Sequence, residues 1–500
     1  MDKIQQLKKH LADVVHLQHA AALLGWDQQC YMPHGGGAAR AEQLAVLSRL
    51  AHEKFTADKT GKLLQAAAAE VKDRPYDSDE AALVRVAQHD YDLATRIPTA
   101  LVEEIARVTS QAHEVWAKAR QDKRFADFAP MLERIFDLMR QQAQALGYKD
   151  RMYDALLDQY EPNMKTADVE RVFTELRGEL VPFVAAVFER LDKVDTRPVH
   201  LDYELAKQEK FGMMVIKKLG YDLNRGRQDR AVHPFTTNFS TNDVRITTRY
   251  MKNYMPTALF GSIHEAGHAM YEQGSSQALE GTILAGGTSL GVHESQSRLW
   301  ENVVGRSRGF WKHFYPSLQK MYPKQLGSID METFYRAINF VSRSLIRVEA
   351  DEVTYNLHVM LRFEMENALL EGKLAVKDAP DAWNSKMQAY LGITPPNDAE
   401  GILQDVHWSS GLVGYFPTYS LGTFLSLQYW EKALKDVPSI PADIEKGNFS
   451  TLLGWLNQNI HQHGRKYWPA ELTQRVTGES LQIQPFMRYL KAKYSEIYGL

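Results

Sequence analysis

PTALFGSIHEAGHAMYEQG, residues 256–274, is the stretch from which the fold is read. Leu259, Ile263 and Met270 recur at helical spacing, Pro256 suits a first helical turn and Gly274 suits a stop. The expectation is therefore a helix running through His264-Glu265-Ala266-Gly267-His268. On a helix, residues four apart share one face, so both imidazoles reach a single ion. Gly267 is a poor helix former, costing about 1 kcal/mol against alanine. A closely packed neighbour would account for it.

Working outward, helical periodicity continues to dominate. The stretch 168–190 carries Val169, Val172, Phe173, Leu176, Leu180, Phe183, Val184 and Val187 as one apolar stripe, with Pro182 predicting a kink or break. Residues 38–55, 80–120 and 352–372 are rich in helix formers, and the amino-terminal segment places Leu7, Leu11, Val14 and Val15 on one amphipathic face. Strand-like text is confined to 233–249, HPFTTNFSTNDVRITTR, read as one or two short strands beside the HExxH helix. Residues 34–37, 281–291, 393–398 and 409–422 are Gly- and Pro-rich and read as loops. The fold class expected from these residues is mainly α: one large helical unit with a cleft between two lobes and a small β element. The whole of 1–500 reads as one unit, with residues 1–120 forming one wall or lid of the cleft; Trp26 and Asp27 are assigned to packing there.

Bulk composition narrows the function classes. Fifty-nine basic and 62 acidic residues give a net charge of −3, and no long basic stripe appears, so nucleic acid is not an expected partner. No run approaches the roughly 20 apolar residues of a membrane span. The one cysteine, Cys30, cannot form an intramolecular disulfide, which fits a reducing, cytoplasmic compartment.

Chemistry follows from the motif. Zinc takes histidine nitrogens, and catalytic sites keep a position open for water, which Glu265, next to the first ligand, is placed to deprotonate. A third ligand is required. The helix carries Glu272 away from the pair; Glu294 and its neighbour His293 are rivals, both on HESQSRLWEN, 293–302, which reads as a return helix. Glu294 is favoured because a two-His, one-Glu set suits hydrolytic zinc. Asp351 and Glu301 are candidates for orienting the imidazoles. Gly287-Thr288-Ser289-Leu290-Gly291 fits the GxSxG pattern of serine hydrolases, but no apolar strand precedes it, and a tight turn is expected instead.

Across essentially its whole length the chain resembles the M32 family of metallocarboxypeptidases, the carboxypeptidase Taq type. The motifs that carry the resemblance are YDALLDQYEP (153–162), HPF (233–235), DVRIT (243–247), HEAGH (264–268), HESQSR (293–298), IRVEAD (346–351), GILQDVHW (401–408) and GYFPTY (414–419). Asn163 stands where the family more usually has glycine. The resemblance implies a large helical cleft or saddle-shaped fold of the zincin-like (HExxH gluzincin) type, and one Zn²⁺ per chain, or Co²⁺, on His264, His268 and Glu294, with Glu265 as base. It implies release of single residues from peptides with a free C-terminus, broad specificity, poor cleavage beside proline, and a homodimer.

The remaining motifs supply candidates by residue type. Arg347 is the first choice for the substrate carboxylate, because a guanidinium binds carboxylate bidentately; Arg245 is second, and His233 is a substrate-lining candidate. Tyr415, Tyr419 and His407 are candidates to stabilise a developing oxyanion. Rival functions are an endopeptidase or dipeptidase on the same scaffold, and a helical scaffold protein with a vestigial metal site.

Overall fold

The computed structural model describes residues 2–500. Its opening segment is a 28-residue helix, Lys3–Cys30, capped by the Asp2 carboxylate, which accepts from the Gln5 amide at 2.7 Å. The 80–120 stretch is two helices, Asp79–Arg96 and Thr99–Gln121. They part at Pro98, which disfavours a helical residue before it and suits the turn that starts the second helix. The fold is mainly α with one small sheet, and no described helix is long and apolar enough to cross a membrane.

Pro182 does not break its helix: Thr166–Phe188 runs through it. The proline ring would press on the carbonyl four residues back, at Gly178. That glycine is exposed and has no atom crowding its α-carbon, so the strain has room to relax. Asn163 has φ +66°, the left-handed region that glycine adopts freely and asparagine tolerates. Its amide is held by Asp158 Oδ1 at 2.6 Å, which explains how asparagine serves there.

The chain divides into two compact units. The first comprises residues 2–94, Asp195–Ile338 and Ser426–Ser480. Its sheet has the order β1-β3-β2, from Gln228–Arg230, Asp243–Thr248 and Thr236–Ser240. The reading of 233–249 holds for β2 and β3, which pair antiparallel; β1 is an addition, lying parallel to β3. Strand β3 buries Val244 and Ile246 and packs on the helix Met255–Gly274, where Thr248 Oγ1 donates to the Ala258 carbonyl at 3.1 Å. That helix contains the HExxH motif, as its periodicity predicts.

The second unit comprises Thr95–Val194, Asn339–Leu425 and Leu481–Leu500. At its centre lies Tyr355–Leu370, a helix buried on nearly all faces. It carries buried Glu366, which takes hydrogen bonds from Tyr153 Oη at 2.6 Å, Trp408 Nε1 at 2.9 Å and the Gly414 amide at 3.1 Å. Burial pushes this carboxyl up to about 7 against those three donors. Gly414, at φ +96°, approaches the Leu156 backbone so closely that an added Cβ would lie 2.9 Å from its carbonyl carbon. The segment 409–422 is a loop only in part. From Pro417, a first-turn proline, the chain is the helix Pro417–Asp436, so Tyr419 and Gly422 are helical.

Candidate metal centre

The Met255–Gly274 helix presents His264 and His268 on one face, and the helix Leu290–Arg298 brings Glu294 to them. Glu294 Oε2 lies 3.6 Å from His264 Nε2 and 3.4 Å from His268 Nε2. These are the one group of histidine, cysteine and acidic side chains among the described residues that can hold a metal ion, with one ligand atom from each within 4.8 Å of the others. A tetrahedral zinc with bonds near 2.0–2.1 Å sets its ligand atoms about 3.3 Å apart. The donor set and its spacing fit such an ion.

Gly267 has the neighbour its propensity cost called for. A Cβ there would stand 2.7 Å from Ser297 Cα and 2.8 Å from the Gln296 carbonyl oxygen. The two metal-facing helices therefore touch backbone to backbone, and only glycine fits at the crossing.

The shell around the three donors is polar and fully committed. Arg298 Nε donates to Glu294 Oε1 at 2.7 Å, and Ser297 Oγ donates to Oε2 at 3.0 Å. Burial opposes the charge of Glu294, but Arg298 and the imidazoles hold its carboxyl well below the ordinary range. His264 Nδ1 lies 2.9 Å from Glu301 Oε2. Burial works against protonated His264, yet Glu294, Glu301 and Glu265 together raise it to about 9 without a cation beside it. Glu301 sits on a π-helical turn, Leu299–Val304, that continues from Arg298; against burial, His264, Arg298 and Arg306 bring its carboxyl down to about 2. Of the two candidates for orienting an imidazole, Glu301 is in place and Asp351 is not. Asp351 spends its carboxylate on the backbone amides of Ser342, Val353 and Thr354.

Glu265 takes its side-chain hydrogen bond from the sheet rather than from the ligand pair. Thr236 Oγ1, on β2, donates to its Oε2 at 2.6 Å, and burial raises its pKa. His293 has both ring nitrogens engaged: Nδ1 is 2.6 Å from His268 Nδ1, and Nε2 is 2.6 Å from Glu272 Oε1. No lone pair remains there for a metal. Ser289 is the cap of the Leu290–Arg298 helix, its hydroxyl accepting from the Val292 amide at 3.0 Å, so the GxSxG stretch is a turn and cap.

The other candidates fall in two places. In the first unit, Arg245 forms a bidentate pair with Asp243, at 2.8 Å on both arms, and its guanidinium stacks 4.3 Å from the Trp26 ring. His233 is exposed between β1 and β2. In the second unit, buried Arg347 donates to Asp405 Oδ1 from Nε at 3.1 Å and Nη2 at 2.8 Å, and to Tyr355 Oη from Nη1 at 2.9 Å. Buried Arg362 holds the other oxygen, Asp405 Oδ2, at 2.5 Å. Tyr419 lies under Arg347, with its ring centroid 4.8 Å away, and its hydroxyl is 3.1 Å from His407 Nε2. Tyr415 packs edge-on against Tyr419 and against Tyr160. Burial, with Arg347 and Arg362 nearby, lowers His407 to about 4, so its imidazole is neutral at pH 7. Asp405, Arg362, Thr236 and Arg298 were not singled out from the sequence, and Glu272 was considered only as a metal ligand. Only Arg298, one turn after Glu294, carries a spacing signal that points to it.

Two imidazoles and a carboxylate facing one point on a mainly helical chain define a hydrolytic type of metal site. Comparison with known proteins narrows the class. The family model described as Carboxypeptidase Taq (M32) metallopeptidase matches residues 6–494. Thermostable carboxypeptidase 1 of Thermus thermophilus is 39% identical, over 99% of each chain. Carboxypeptidase 1 of Bacillus subtilis is also 39% identical, over 98% of this chain and 97% of its own. The crystal structure of the M32 carboxypeptidase of Deinococcus radiodurans R1 superposes with a TM-score of 0.97, at 43% identity and complete coverage of both chains. The chain belongs to the M32 family, and the enzyme is a metallocarboxypeptidase.

Proposed function

We propose that the enzyme is a zinc-dependent carboxypeptidase that releases single C-terminal residues from peptides, with broad side-chain tolerance and poor cleavage beside proline. The observation that carries this is the convergence of His264 Nε2, His268 Nε2 and Glu294 Oε2 beside buried Glu265. Cobalt suits the same nitrogen and oxygen donors. Specificity and the behaviour at proline rest on the family resemblance. So does the assignment to a homodimer, while the cytoplasmic location rests on the lone cysteine, which suits a reducing compartment.

A zinc ion bound there supplies Lewis acidity toward the scissile carbonyl and its water. The chain's own residues do the rest. Glu265, with Oε2 held by Thr236, offers Oε1 to the attacking water, takes its proton and returns it to the leaving amine. Arg298 and Ser297 fix the Glu294 carboxylate in orientation. Arg347 takes the substrate's terminal carboxylate: three of its five N–H groups are used by Asp405 and Tyr355, which leaves two. Arg245, paired with Asp243 and stacked on the Trp26 ring, is assigned to the sheet. Neutral His407 and the hydroxyls of Tyr415 and Tyr419 are the proposed donors to the developing oxyanion.

The test is a pair of peptides identical except at the C-terminus, followed by mass spectrometry. The free acid is expected to lose residues one at a time, while the amidated form persists. Equal internal cleavage of both would replace this proposal with an endopeptidase.

A further inference from the structure

We infer that His293 and Glu272 are positioning residues that set the tautomer of His268 and so strengthen metal binding. The inference rests on the metal site proposed above. His268 Nδ1, His293 Nδ1, His293 Nε2 and Glu272 Oε1 form a continuous chain with both links at 2.6 Å. Its far end is anchored: Glu272 Oε2 accepts from Asn238 Nδ2 at 2.8 Å, and Oε1 accepts from the Gly287 amide at 3.3 Å.

The direction of every proton in this chain follows from donor chemistry. A carboxylate has only lone pairs to offer, so His293 Nε2 carries the hydrogen. With its ring hydrogen at Nε2, His293 offers Nδ1 as an acceptor to His268 2.6 Å away, so His268 Nδ1 carries the hydrogen. That leaves His268 Nε2 bare, facing Glu294 Oε2 across 3.4 Å. Two lone-pair atoms opposed at that distance repel unless a cation lies between them. The relay thus commits His268 to the one tautomer that ligates, as Glu301 does directly for His264.

The surroundings are shaped around the pair. A Cβ on Gly287 would stand 2.5 Å from His293 Cδ2 and 2.9 Å from Tyr271 Cε1, and one on Gly286, at φ +101°, would stand 3.1 Å from Glu272 Oε2. The His293 ring is flanked by His268 and Tyr271, with centroids at 4.8 and 5.1 Å. Two consecutive glycines thus leave room for an imidazole and a carboxylate that no proposed step of hydrolysis touches.

The experiment measures zinc affinity of chelator-stripped enzyme by competition with a chromophoric chelator, with thermal unfolding of each metal-free form alongside. His293→Leu removes the acceptor, and His293→Gln restores a carbonyl oxygen within reach of His268 Nδ1. The expected result is a 10–100-fold weaker zinc dissociation constant for His293→Leu and recovery of most of that loss in His293→Gln. Unchanged affinity in His293→Leu, or an equal loss in both variants, would overturn the relay. Should His293→Leu fail to fold, Glu272→Leu is measured in its place: a similar loss supports the relay and wild-type affinity overturns it. Wild-type protein that takes up no zinc would overturn the underlying metal site instead.

Discussion

Glu265→Gln is expected to reduce peptide turnover by on the order of 10³-fold while leaving the bound metal in place. Glu265 follows His264 on the same helical turn, but it is not among the three donors that converge. Glutamine keeps the shape of the side chain, and the Thr236 hydroxyl can rotate to accept from an amide as readily as it donates to a carboxylate. What the amide cannot do is take a proton from water. The loss therefore falls on kcat rather than on metal content or KM. Steady-state kinetics on a free-acid peptide, with metal analysis of the same preparation, checks both halves. Undiminished kcat would remove Glu265 from its role, and loss of the metal would make it a ligand.

Gly267→Ala is expected to destabilise the protein by about 2 kcal/mol and to weaken metal binding. On an exposed helix the same change stabilises by roughly 1 kcal/mol, because alanine is the better helix former. Here the new methyl meets backbone atoms of Ser297 and Gln296 at 2.7 and 2.8 Å, which no side-chain rotation relieves. The Leu290–Arg298 helix must retreat, and it carries Glu294 with it. Overpacking outweighs propensity, so the sign reverses. Thermal unfolding and the zinc competition measurement report the two effects. A more stable variant with unchanged zinc affinity would show that the helices do not meet as described.

These outcomes also mark where sequence stops being legible. The HExxH helix and its return partner are readable because their signals are local: apolar spacing, a first-turn proline and two imidazoles one turn apart. Gly267 is readable only as an anomaly, since the backbone it contacts lies in a later helix. Strand β1, Gln-Asp-Arg, has no strand-like composition and exists because β3 lies parallel to it. Glu272 was set aside because its helix carries it past the metal donors; it reaches His268 after all, through His293. Asp351 and Glu301 looked equivalent as free acids in a motif, and only tertiary packing separates the one that meets His264 from the one that caps backbone amides. Pro182 shows the converse, a strong local breaker overridden where exposure at Gly178 lets the helix absorb it.

Anomalous diffraction from crystals of the zinc-loaded enzyme, recorded on both sides of the zinc absorption edge, tests the central claim most directly. One strong peak per chain is expected, within bonding distance of His264 Nε2, His268 Nε2 and the Glu294 carboxylate. A peak bound elsewhere, or none in protein that still hydrolyses peptides, would contradict it.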